Sequence, residues 1–557
     1  MRRTGVELTS SVVKPASLLA LIGVAALAAL GFVLAAFLPV YADEMGYRLI
    51  SARYLIDGGV NIYLFPHCGP GFSTPVPVWM LPFRLAQELA YAPSTGLLHI
   101  RAIGAVLDAL SILGTAALLV YRVPLGSAPL AAAAILAFFG LGVFPFATVM
   151  DRPDLWIRSA VVLWCLTPNA KSQTSDPRLG RQCFFLGLIV ILPAAAVASM
   201  HLKAILFFPI AALATWRLAP NIFLRASGLL LLFLIGLSTY TYWTARLACP
   251  EYPALNQLFG QAVPPSLLWT HPTQFIAEFA TNLWQFPRYW SNILFQERYT
   301  SDWLPGSVAS LASGLANAAI RLVFCLIFMT WVFAACYTVW RAARYKQITY
   351  ASLTVATLSC CLVLVAGISI PKYFIESPLM LPLAGMTVWL AIPELPQRFS
   401  SKVAGLLFAA VALAFLICQI PLFTSYYPRI TGSWAQAGYA SGQFISFNYS
   451  DYAKTRQRIV ATAQLCGIDV TQKLVHPIID GLTYPALVES LQPFEVLWTG
   501  LNWPGSPQSQ FAFLRSIHSS GAVSACHLLP PSFVPYARHN GDLCCVPAFD
   551  TLSAPSP

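Results

Sequence analysis

Charged side chains are what this sequence has least of: they make up 10% of its 557 residues, while 57% are hydrophobic. Globular proteins carry about 25% charged residues, so a chain of this composition cannot be surfaced against water throughout, and a soluble fold is excluded. A Gly-rich phosphate loop is also missing, which removes the usual mark of a nucleotide site. No internal repeat is visible, and the only biased tract is the Ser/Pro-rich end. No cysteine or histidine spacing suggests a zinc centre. The net charge of +11 does not point to nucleic acid either, because its Lys and Arg residues fall in short groups between apolar runs. That distribution is the one the positive-inside rule predicts for a membrane protein.

What is present is a series of long apolar runs. Arg2, Arg3 and Lys14 precede an uninterrupted run from Leu18 to Val40, too long for the apolar core of a cleaved signal peptide. It reads as a retained first span entering from the cytoplasm. Further runs lie near 97–121, 125–148, 155–167, 183–200, 204–216, 227–243, 310–339, 349–370, 377–393 and 403–422, which predicts about eleven transmembrane helices. The loops this count assigns to the cytoplasm hold Arg122, then Lys171, Arg178 and Arg181, then Arg217 and Arg225, then Arg341, Arg344 and Lys346, then Arg398 and Lys402, and all are basic.

An odd count with the N-terminus inside places everything after about Thr424 outside. The expected architecture is an all-α polytopic membrane domain over 1–422 and a small C-terminal extracytoplasmic α/β domain over 423–557. Two long outside connections, 41–96 and 246–309, belong to the first. In the tail a helical pattern covers Asp451 to Cys466, and short apolar runs cover Leu474 to Ile479, Phe494 to Trp498 and Leu543 to Val546. Four of the thirteen cysteines lie here, Cys466, Cys526, Cys544 and Cys545, in a compartment where disulfides persist. One bridge is expected, its pairing open among three full connectivities. The adjacent Cys544 and Cys545 should have different partners or leave one thiol free, and buried free thiols are the alternative.

Ionisable groups at a membrane boundary are costly and therefore informative. The first outside loop opens with Tyr41, Asp43 and Glu44 and runs on through Arg48, Arg53, Asp57, His67 and a Pro-rich stretch. The third span ends at Met150 and is followed by Asp151, Arg152, Pro153 and Asp154. The fifth ends in His201 and Lys203, the ninth in Pro371, Lys372, Tyr373 and Glu376. Each group has a structural role open to it: Asp43 and Glu44 as boundary acids, Asp151 to Asp154 as a helix start, the lysines snorkelling to lipid phosphates, His201 as a hydrogen-bonding residue. Their convergence from four loops on one side argues for chemistry. Carboxylates beside fixed cations suit transfer of a sugar from a polyprenyl phosphate, where the acceptor hydroxyl loses a proton to a general base and Lys or Arg stabilises the departing phosphate.

The segments YADEMGY, MDRPDLW, HLKAILFFP and PKYFIESP, spread over residues 1 to 395, resemble the GT-C class of polyprenyl-phosphate-sugar glycosyltransferases. The likeness is to the branch holding protein O-mannosyltransferases, the aminoarabinose transferase and the rhizobial galacturonosyltransferases. The resemblance implies that Asp43 is the general base or orients the acceptor, with Glu44 assisting. It implies that Asp154 is a further catalytic carboxylate, that Asp151 and Arg152 belong with it to the sugar or phosphate site, and that Lys203 and Lys372 contact the lipid phosphate, with Tyr373 beside them and His201 in the same substrate site. Two departures bear on the donor: Lys372 stands where an Arg is more usual, and His201 two residues before Lys203 is unusual. Some members use a divalent metal, but the acids here do not define a ligand set. The partners implied are a polyprenyl-phosphate-linked sugar, an extracytoplasmic acceptor glycan, lipid or protein, and the bilayer, in a bacterial inner membrane with the C-terminal domain periplasmic.

The aromatic residues of 246–309, Trp269, Trp284, Trp290 and Trp303, belong either to the interface belt or to a lid over the site. A transporter or flippase of lipid-linked solutes is the competing function. It would bury its carboxylates mid-membrane and show paired repeats, for which Asp108, Arg101 and Arg321 are the candidates.

Overall fold

Lipid offers the backbone no hydrogen-bond partners, so each apolar run should close its own bonds as a helix. The computed structural model describes residues 15–36, 77–90, 97–120, 128–140, 153–167, 179–219, 221–247, 262–264, 266–295, 311–346, 348–369, 377–391, 449–470, 478–480, 495–497, 508, 515, 519–526, 529 and 531–548. Within them the runs are helical: α1 (Pro15–Ala36), α2 (Leu81–Ala90), α3 (Leu97–Val120), α4 (Ala128–Phe139), α5 (Pro153–Cys165), α6 (Leu179–Leu186), α7 (Leu192–Met200), α8 (Phe208–Leu218), α9 (Ile222–Leu247), α10 (Leu267–Thr270), α11 (Pro272–Phe295), α12 (Leu311–Tyr345), α13 (Tyr350–Ile368), α14 (Ser377–Ala391) and, in the tail, α15 (Tyr449–Leu465). The predicted span 403–422 lies outside the described residues.

Three of these helical stretches are long and apolar enough to cross a membrane, Gln182–Met200, Ile222–Thr244 and Tyr350–Ile368, and two shorter ones, Leu18–Val33 and Pro382–Ala391, are also apolar. The chain is a multi-pass membrane protein. Its outward faces agree: α9 exposes Phe223, Leu230, Phe233 and Leu234 side by side, a surface stable against lipid and not against water.

The stretch Gln182–Met200 is interrupted by a π-helical turn, Gly187–Ile191, and Pro193 is the cause. Pro193 has no N–H for the carbonyl four residues earlier, that of Ile189. The indole of Trp164, fully buried on α5, fills the vacancy by donating from Nε1 to Ile189 O at 3.1 Å. Trp164, Phe207 and Phe286 are the largest fully buried side chains among the described residues.

Tyr350 starts α13 and donates its hydroxyl to Trp164 O near the end of α5 at 3.1 Å, with the Arg217 guanidinium 3.9 Å over its ring. The finish of α5 and the start of α13 therefore share one end of the bundle with Arg217. The start of α5 and the finish of α13 lie at the other. The finish of α13 is held by the connection 246–309, through Asn282 on Gly367 O at 2.9 Å and Val263 on Ile368 O at 2.7 Å. This connection was expected to be interface belt or lid. In its described part α11 packs on α12 and α13 and buries Phe286 completely, while Trp269 and Trp284 are 82% and 88% exposed.

The tail forms a five-stranded sheet of order β2-β1-β3-β5-β4, from β1 (Ile478–Asp480), β2 (Glu495–Leu497), β3 (Ala522–Ala525), β4 (Arg538–Asn540) and β5 (Leu543–Val546). β1 pairs in parallel with β2 and β3, β5 antiparallel with β3 and β4. α15 packs on β3, β4 and β5. The cysteines make two bridges where one was expected, Cys466–Cys545 and Cys526–Cys544. Cys544 and Cys545 take different partners because successive strand residues point to opposite faces.

Candidate functional site

The site is built where a helix is forced to stop. At His201 the backbone turns extended (φ −158°, ψ 140°), ending α7, and a 3-10 turn, Leu202–Phe207, follows before Pro209 sets the start of α8. His201 caps that turn: the Lys203 backbone N–H donates to its Nδ1 at 3.1 Å. A backbone N–H can only donate, so Nδ1 accepts and the neutral ring carries its hydrogen on Nε2. The imidazole lies against Trp243 of α9, centroids 6.2 Å apart. His201 is thus the capping residue of the site's turn, the hydrogen-bonding role left open by the sequence.

The turn points Lys203 at the start of α5. Its Nζ is 2.5 Å from Asp154 Oδ1, with the two side chains 9% and 4% exposed. Asp154 lies in the first turn of α5 after Pro153, where the helix N-terminus favours an anion. Arg158, one turn further on, is 2% exposed. The described residues thus hold two cations and one carboxylate sunk at this end of the bundle, a costly arrangement outside a functional site. Asp154 thus holds the Lys203 ammonium at the start of α5.

The described part of the connection 41–96 reaches the same place. Its 3-10 turn, Val78–Met80, buries Met80 against Tyr242 and Trp243, with Leu202 packed beside them, and Trp79 Nε1 donates to Ser238 Oγ at 3.0 Å. The 3-10 turn carrying Lys203 also packs on α13. Loop, turn and helix ends from four parts of the sequence meet around Lys203.

Of the nine candidate residues, Asp154, His201 and Lys203 are brought together here. Asp43, Glu44, Asp151, Arg152, Lys372 and Tyr373 lie outside the described residues. Arg158, Trp79 and Trp243 were not singled out from sequence. Arg158 carried a signal, a charge four residues after Asp154 and so on the same helical face. For a metal, the described part of this site offers one carboxylate beside two cations, a donor set that does not fit a divalent ion.

No protein-family model matches the sequence, and no curated protein does. Among solved structures, the chain is similar to ArnT from Cupriavidus metallidurans bound to undecaprenyl phosphate, at 14% identity over 96% of this chain and 99% of that one, TM-score 0.47. It is similar to the archaeal oligosaccharyltransferase AglB from Archaeoglobus fulgidus in complex with an inhibitory peptide and a dolichol-phosphate, at 14% identity over 91% and 69%, TM-score 0.43. A structure of the Archaeoglobus fulgidus oligosaccharyltransferase in complex with Zn and sulfate gives 13% identity over 91% and 68%, TM-score 0.43.

Proposed function

We propose that the chain is a membrane glycosyltransferase of the GT-C class that moves a sugar from a polyprenyl-phosphate donor to an extracytoplasmic acceptor. The observation that carries this reading is the buried Lys203–Asp154 pair at the end of the bundle where the first connection and the finish of α13 converge. Two of the four sequence segments that resemble the class, MDRPDLW and HLKAILFFP, supply the pair itself.

In this reading the acceptor hydroxyl attacks the anomeric carbon as its proton passes to Asp43. The bond from that carbon to the phosphate oxygen breaks, and the electron pair leaves on the polyprenyl phosphate. Lys203 neutralises the charge that grows there, assisted by Lys372. An ammonium has three N–H donors, so one group can hold Asp154 and a phosphate oxygen at once. Asp154 keeps the ammonium in place before the donor arrives, so less reorganisation accompanies the reaction. Glu44, Asp151, Arg152 and Tyr373 complete the site, and residues 1–422 form the catalytic domain.

This end faces the periplasm and the N-terminus the cytoplasm. Arg217 stands against Tyr350 at the other end, and Arg225 stacks on Trp216 beside it, as a basic cytoplasmic side requires. The two disulfides of the tail suit an oxidising compartment. Residues 423–557 stand on the acceptor side as a separate domain.

The test is transfer of labelled sugar from membrane polyprenyl-phosphate sugars to an extracytoplasmic acceptor fraction, at matched protein levels. Asp43→Asn should remove transfer while the protein still inserts. If wild type transfers nothing from any lipid-linked pool but carries such a lipid across vesicles, the transporter reading replaces this one.

A further inference from the structure

Outside the bundle, one group of chemistry-bearing side chains has no place in sugar transfer. Cys526, His539 and Cys544 come from three adjacent parts of the tail sheet: Cys526 just after β3, His539 in β4, Cys544 in β5. His539 and Cys544 are register partners across the β4–β5 hairpin, whose turn is closed by Gly541 at φ +68°. The Cys526 backbone N–H is fixed to Asp542 O at 2.8 Å. His539 Nδ1 consequently lies 3.2 Å from Cys544 Sγ and 3.5 Å from Cys526 Sγ, and the three ligand atoms all fall within 4.8 Å of one another.

Those distances have a chemical meaning. Zinc bonds of about 2.3 Å to sulfur and 2.0 Å to nitrogen in a tetrahedron put the two ligand atoms about 3.5 Å apart. The imidazole already stands at that separation from both sulfurs. In the present state the sulfurs are joined as a disulfide, so the metal and the bridge exclude one another. We infer that Cys526, Cys544 and His539 form a redox-gated site for zinc or a similar thiophilic divalent ion, closed as the disulfide and opened by a dithiol.

The opening step balances. A thiolate of the dithiol attacks Sγ of Cys526, the half-exposed end of the bridge, the S–S bond breaks, and its electron pair leaves on Cys544 Sγ. The second thiol resolves the mixed disulfide, and the reductant departs as a cyclic disulfide, leaving two cysteine thiols. Zinc replaces the two thiol protons and takes His539 as third ligand, with the fourth position toward solvent because His539 is exposed. The other bridge is differently placed: Cys466 and Cys545 are both buried, Cys545 completely, so the sheet stays tied to α15 while the first bridge opens. Spacing hid the site, since Cys526, His539 and Cys544 match no familiar zinc signature and only strand pairing assembles them.

The test uses the purified full chain in detergent, treated with a limited amount of a phosphine, which reduces disulfides without competing for zinc. Differential alkylation with mass mapping should find Cys526 and Cys544 labelled and Cys466 and Cys545 still joined. Competition against a zinc-binding dye should then show one zinc per opened chain and none on the closed chain. His539→Ala, an exposed substitution that leaves the fold intact, should weaken zinc more than 100-fold, beyond the roughly 10–100-fold cost of losing an outer-shell contact. Opened wild type that takes up no zinc, His539→Ala that binds as tightly, or two bridges that open only together would each overturn the proposal.

Discussion

The carboxamide of Asn282, buried on α11, donates to the main-chain oxygen of Gly367 in the last turn of α13, 2.9 Å away. The last carbonyls of a helix have no partner within it, so α11 supplies one, directly before the segment PKYFIESP. Gly367 is required for the approach, because a Cβ there would come within 2.2–2.4 Å of the Phe279 ring. We predict that Gly367→Ala destabilises the protein by about 1–3 kcal/mol through overpacking, and that Phe279→Leu in the same chain recovers much of the loss. Thermal unfolding in detergent reads both. A Gly367→Ala protein as stable as wild type would mean that Phe279 moves aside freely.

A second prediction concerns Trp164 and Pro193. Trp164→Phe keeps most of the buried ring but strips Ile189 O of its donor, which should cost about 1–3 kcal/mol. Pro193→Ala supplies the N–H that the helix lacks at that carbonyl. The double variant should therefore be more stable than the sum of the single changes predicts, and a double-mutant cycle on unfolding in detergent measures the coupling. Strict additivity would rule out the compensation.

Most helices were legible because an apolar run of membrane length allows the backbone little else. The run read near 349–370 is helix from Tyr350 to Ile368, and the one near 97–121 is helix from Leu97 to Val120. The π turn was not legible, since it depends on a tryptophan from another helix answering one proline. Helix α11 was hidden as well: its buried face, with Asn282 and Phe286, is interleaved with exposed Thr281 and Trp284, so no apolar run announced it. β4 reads Arg538-His539-Asn540, with no alternation to mark a strand. In the site, the pairing of Asp154 with Lys203 could not be read from the sequence, because 49 residues separate them.

The two tail bridges should contribute unequally. On a chain-entropy account the stabilisation grows with the loop closed, about 3 kcal/mol for a loop near 15 residues and nearly 5 for one near 100. The separations here are 79 residues for Cys466–Cys545 and 18 for Cys526–Cys544. Replacing Cys466 and Cys545 together by Ala should lower the tail's stability more than replacing Cys526 and Cys544, by about 1 kcal/mol. Limited proteolysis of the tail against urea concentration measures it. The reverse order would place the main stabilisation in local packing around Cys526.

The pair of Lys203 and Asp154 allows structure and chemistry to be separated. Lys203→Met leaves a carboxylate buried without its ammonium, which should destabilise the protein by about 3–5 kcal/mol and remove transfer as well. That result alone cannot tell a misfolded enzyme from one lacking its phosphate contact. Asp154→Leu combined with Lys203→Met removes both charges and replaces them with apolar groups. Such exchanges of buried pairs are often neutral or stabilising, so the double variant should regain wild-type unfolding behaviour. If Lys203 stabilises the departing phosphate, transfer stays lost in the restored protein. Recovery of transfer together with stability would reduce the pair to a structural tie and move the phosphate site to other cations of this end, Arg158 first among the described residues.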